Sequence, residues 1–168
     1  MENGNARIAE GTAIVQKHCL YSAGFGIVPL PLFNVAVTGA SQLVMLSSLC
    51  KLYNVEFSRS WGKYIISSLV GGWVPTRLAY GGIGFLLGSI PLVGPAFSVL
   101  TQPAFGYAST YGVGMIFIKH LESGGTLLSL DPALMKEHYA QEFQQGKLLA
   151  GKKGKAEPGK PEATPTLA

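Results

Sequence analysis

The chain has 168 residues, enough for one domain with tails. Only 13% of them are charged, against about 25% in soluble domains, and 48% are aliphatic, aromatic or sulfur-bearing hydrophobes, with 22 glycines besides. Residues 19–50, 64–76 and 78–118 hold no Asp, Glu, Lys or Arg, which argues against ordinary soluble helices, whose outer faces need polar groups every turn, and against ion-coupled pumping, which needs ionisable groups at membrane depth.

In chain order, NARIAEGTAIVQKH (residues 5–18) reads as an amphipathic helix running on to about Phe25. The N-terminus lacks a basic region followed by an apolar run, so no secretory signal is expected. Cys19 and Cys50 flank the first charge-free stretch and read as small buried hydrophobes. Pro29 and Pro31 stand near its middle. A proline in a helix interior costs about 3 kcal/mol. The 32 residues from Cys19 to Cys50 are too many for one upright crossing of a ~30 Å hydrocarbon core and too few for two. A helical hairpin over about residues 10–53 resolves the conflict. The prolines end its first arm, since a residue before proline avoids the α region. Asn34 can cap the second arm, which returns to the same side at Lys51 and Tyr53.

Trp61, Ile65, Leu69 and Trp73 follow at spacing four, one face of a helix. The two tryptophans suit a headgroup-level or intra-bundle helix better than a crossing. Residues 76–122 repeat the hairpin plan, with a turn at IPLVGP containing Pro91, Gly94 and Pro95 and a second arm ending at Lys119. Pro31 precedes Gln42 by the same interval as Pro91 precedes Gln102. Pro103 should kink the last arm. Small residues recur at spacing four: Ala36 and Ala40, Gly84 and Gly88, then Ala104, Ala108 and Gly112. They permit close helix approach within the chain or between copies, with chance as the alternative in so glycine-rich a chain. SLDPALMKEHYAQEF predicts an amphipathic helix over 131–145, with Asp131 as N-cap and Pro132 at its first position. This closes a helical domain of residues 1–146. Residues 147–168 read as a disordered basic tail, whose Lys147, Lys152, Lys153 and Lys155 would attract anionic lipid at ~1 kcal/mol each.

The run PLPLFNVAVTGASQLVMLSSLCKLYNVEFS (residues 29–58) resembles a family of uncharacterised bacterial membrane-associated helical domains, often fused or adjacent to Era-like GTPase domains. Pro29, Pro31, Gln42, Met45, Lys51, Leu52 and Tyr53 match its pattern. Asn34 stands where that family usually has Asp, and Asn54 where it usually has Gly. The resemblance implies a membrane-associated helical fold in the bacterial inner membrane and a GTPase as one candidate partner. It implies no activity.

Candidate chemistry is sparse. Gly146, Gly151 and Lys152 fall at Walker A spacing, but Lys153 replaces the Ser or Thr, and neither the strand nor the helix of that motif flanks them. A solvated tail is the plainer reading. His138 and Glu142 share a helix face, which is half a metal site at most. His18 and His120 abut apolar stretches beside Lys17 and Lys119 and read as markers of the membrane edge. No catalytic constellation, cofactor or nucleic-acid partner is expected. All basic residues lie outside the apolar stretches, which places both termini in the cytoplasm by the positive-inside rule. The sequence thus predicts an all-α, membrane-embedded bundle of two proline-turn hairpins with amphipathic flanking helices. Its expected role is non-enzymatic: anchoring or regulating a cytoplasmic partner, or shaping the bilayer. An oligomeric pore and a soluble carrier of an apolar ligand are the alternatives.

Overall fold

The structure, a computed structural model, describes residues 2–25, 31–71 and 94–156. These are all-helical: α1 (Glu2–Phe25), α2 (Pro31–Leu52), α3 (Arg59–Ile66, continued by a π-helical turn Ser67–Gly71), α4 (Gly94–Glu122) and α5 (Lys136–Ala156).

α4 is the central helix. α1 packs against it antiparallel, with Gly11 beside Ile118, Val15 beside Gly114 and Ser22 beside Gly106. α2 runs parallel to α4, so that Gln42 reaches Ser109 and Met45 comes to Gly114. The buried core draws on every helix, with Val15 and Cys19 from α1, Met45, Leu46 and Leu49 from α2, Ile65 from α3, Phe117 and Ile118 from α4, and Tyr139 from α5. Cys19 and Cys50 are buried inside it and form no disulfide. The turn after α4 adds Leu127 and Leu130.

α2 and α4 stop in the same way. Asn54 N–H donates to Lys51 O and Val55 N–H to Cys50 O, around a left-handed Asn54 at φ 55°. Gly124 N–H donates to Leu121 O and Gly125 N–H to His120 O, around Gly124 at φ 82°. Both are Schellman motifs, which satisfy carbonyls that the helix end would leave orphaned.

Four expectations need correction. Pro31 is the first residue of α2, so Asn34 lies inside its first turn and is no cap. Pro suits that opening position because its missing N–H would have no helical partner there. Gly94 and Pro95 belong to the first turn of α4 rather than to a connecting turn, for the same reason. The last helix starts at Lys136, not at Asp131. Asp131 Oδ1 instead accepts the Ala133 N–H at 2.8 Å, a local turn bond that competes with helix initiation. Finally, α5 continues to Ala156 where a tail was expected from residue 147. Leu149 and Ala150 rest against the core, and this packing carries the helix past Gly146 and Gly151.

Candidate functional site

The bundle is held at mid-height by a buried seam of neutral polar groups. Gln42 of α2 donates through Nε2 to Ser109 Oγ at 3.0 Å and lies 3.4 Å from Thr110 Oγ1. Thr110 Oγ1 donates to Ser22 Oγ of α1 at 2.8 Å. Tyr139 of α5 donates its hydroxyl to Ser109 Oγ at 3.3 Å. All five residues are at most 1% exposed, so four helices meet in one water-excluded network. One rung away, Asn34 Nδ2 donates to Gln102 Oε1 across the same α2–α4 interface. On the α1–α2 side, His18 Nδ1 and Ser41 Oγ pair at 3.1 Å. A network of this kind fixes register, because a slip of one turn would strand several buried donors at once.

Two rows of small residues on α4 let its neighbours come close. Gly106, Thr110 and Gly114 face α1. A Cβ added at Gly106 would stand 2.6 Å from the Ser22 carbonyl oxygen, and one at Gly114 would stand 2.5 Å from Val15 Cγ2. Ala108 and Gly112 face α5. A Cβ at Gly112 would meet the Tyr139 ring at 2.9 Å, and one at Gly146 of α5 would meet Ala108 Cα at 2.8 Å. The first row has the spacing of four read at Ala104, Ala108 and Gly112 and was missed because Thr110 interrupts it.

Charge collects where α1 begins and α2 and α4 end. The Arg7 Nε lies 3.2 Å from Glu122 Oε1, and its guanidinium sits 4.9 Å over the Tyr53 ring. The Tyr53 hydroxyl is buried without a hydrogen bond of good geometry among the described residues. Burial, and then the adjacent Glu122 carboxylate, push its pKa up to about 12. The Tyr53 hydroxyl, followed by Arg7, holds the Glu122 carboxyl below its usual range. Lys119 pairs with Glu142 of α5.

The other end presents apolar surface. Leu20 and Phe25 on α1, Val35 on α2 and Phe105 on α4 are exposed large hydrophobes, Val35 by 70%. Ala36 and Ala40 also face outward, and no described atom packs near the position a Cβ would take at Gly39.

Among the remaining sequence-selected residues, Lys51 is exposed at the end of α2, and Ile65 and Leu69 are buried. Trp61 is half-buried beside Tyr64, with ring centroids 5.1 Å apart. Ala104 is half-buried on α4, and Lys147 and Lys152 are exposed on α5. Lys153 and Lys155 lie in the last turns of α5. Pro29, Trp73, Gly84, Gly88 and Pro91 are outside the described residues. The glycines and lysines at Walker A spacing lie within a continuous helix, which leaves no loop to cradle a phosphate. Glu142 is turned to Lys119, and His120 Nε2 holds the Thr126 carbonyl at 2.9 Å, pinning the turn after α4.

No family model and no solved structure matches the chain. No comparison links it to an Era-like GTPase domain. It is 36% identical over 149 residues to Magnetosome membrane protein 22 of Magnetospirillum gryphiswaldense, an alignment covering 89% of this chain and 75% of that protein. Identity of that depth over most of both chains places the chain in the family of Magnetosome membrane protein 22.

Proposed function

We propose that the chain is a non-enzymatic membrane module, inserted from one side by its apolar end, that anchors a partner at its charged end or bends the bilayer it enters. The observation that carries this reading is α2. It is long and apolar enough to cross a membrane, yet only 28% of the residues in that apolar stretch are buried in the bundle. A soluble core helix of that composition would hide most of them. The relative's name as a membrane protein supports the same reading.

The position of α5 favours shallow insertion. Gly146 touches Ala108 and Tyr111, and the neighbouring Lys147 is exposed. α5 runs on past that contact, with Leu149 and Ala150 still against the core and Lys152 exposed, so charged groups flank α4 below Ala108 as well and leave a charge-free depth short of a ~30 Å core. A wedge of that depth displaces one leaflet more than the other. A GTPase partner remains an inference from the residue 29–58 pattern alone. The polar seam is closed in the monomer, so a pore would have to form between copies.

The test is cysteine accessibility in native membranes. Val35→Cys should be shielded from a water-soluble maleimide although the isolated bundle exposes it, whereas Glu56→Cys, at the charged end, should label quickly. Equal labelling of the two would refute insertion.

A further inference from the structure

Trp61 and Tyr64 of α3 form one wall of an open cleft of about 240 Å³, and Leu128–Pro132 form the other. The Trp61 Nε1 is buried with no hydrogen-bond partner among the described residues. Asp131 spends one carboxylate oxygen on the Ala133 N–H and makes no ion pair among the described residues. The far wall is rigid. Ser129 Oγ accepts from Thr126 N–H at 2.8 Å, and His120 fixes the Thr126 carbonyl. The cleft thus offers two aromatic rings and a carboxylate in a preformed shape.

Aromatic faces beside a carboxylate suit an organic ammonium ion. We propose that this cleft binds the headgroup of an amine-bearing zwitterionic phospholipid, with the ammonium between Tyr64 and Asp131. The site is placed for it. Gly62 packs on Leu43, about two turns below Lys51 on α2, where the charged end gives way to the apolar one. Leu128 and Leu134 stand exposed by 66% and 71% along the same stretch of chain, available to acyl chains. The inference rests on the membrane reading above.

The test uses the whole chain in dodecyl maltoside, a detergent without an amine, in a Trp73→Phe background so that the indole signal comes from Trp61. Titration with glycerophosphoethanolamine should change that fluorescence saturably, and glycerophosphoglycerol, which lacks the ammonium, should not. Asp131→Asn keeps the acceptor for Ala133 N–H, so the turn survives. It should weaken binding by about threefold to tenfold, as should Tyr64→Leu. Equal responses to both headgroups, or none, or an unchanged affinity in Asp131→Asn, would overturn the proposal. Tighter binding of an oligolysine peptide that displaces the headgroup would overturn it in favour of a protein partner. Flotation of the same samples with phosphatidylglycerol vesicles separates the two readings: a protein that floats but ignores the amine fails only this one, and a protein that never floats fails the membrane reading.

Discussion

Gln42 shows how much one uncharged side chain can specify. It bonds two side chains of α4 from within α2 and is 1% exposed. Gln42→Leu removes those bonds and leaves Ser109 and Thr110 with fewer buried partners, which should lower stability by about 1–3 kcal/mol, read by thermal unfolding in detergent. Asn54 is the converse. It holds a left-handed backbone that glycine adopts without strain. Asn54→Gly should be neutral or stabilising by a few tenths of a kcal/mol, whereas Asn54→Val should destabilise by ~1 kcal/mol or more. Sequence pattern made Gln42 and Asn54 visible as positions but not as roles. A buried amide and a surface amide look alike in a string, and only the partner helix, far along the chain, tells them apart. Asn34 illustrates the failure. It was read as a cap, a local role, and its bond is to Gln102.

Helices were legible where periodicity and proline position agreed, as in α1 and the body of α2. Their edges were not. Asp131–Pro132 satisfies the sequence rule for a helix start, but the turn held by Thr126, Ser129 and His120 takes those residues first. The end of α5 was misplaced because Gly146 reads as a breaker and serves as a contact, its Cα passing close to Ala108. Glycine content therefore has two meanings in this chain, separable by experiment. Gly106→Val would drive a side chain into the Ser22 carbonyl, a backbone atom that cannot step aside without moving α1. We expect a loss of about 1–3 kcal/mol, with the hydrogen bond from Thr110 to Ser22 broken. Gly39→Ala, with nothing within 4 Å of the new Cβ, should instead stabilise α2 by about 0.5–1 kcal/mol. Denaturation of the two variants side by side distinguishes packing glycine from incidental glycine; equal effects would dissolve the distinction.

Across the whole bundle, Arg7, Tyr53 and Glu122 gather where α1 begins and α2 and α4 end, and pH should act on that cluster. Tyr53 ionises near 12 in the fold, against 10.0 for the free side chain. The fold favours its neutral form, so this contribution is complete below pH 10 and is lost as pH rises toward 12. The Glu122 carboxyl is shifted down, so its contribution is present above its ordinary pKa of 4.5 and is lost as pH falls below it. Melting temperature should hold a plateau between these limits and fall at both sides. Tyr53→Phe should flatten the alkaline limb and also weaken the acid one, because the Tyr53 hydroxyl is the first cause of the lowered Glu122 pKa; an unchanged alkaline limb would show that the Arg7–Tyr53–Glu122 cluster does not report on folding.

Ser22, Gln42, Ser109 and Thr110 carry no charge at neutral pH. α2 and α4 are made one after the other and can pair only once both exist. Ser109 follows Gln42 by 67 residues, so α2 emerges from the ribosome well before its partner exists. The amide of Gln42 is then a latch without a catch, and the final register of the bundle is decided by the last of its long apolar segments to arrive.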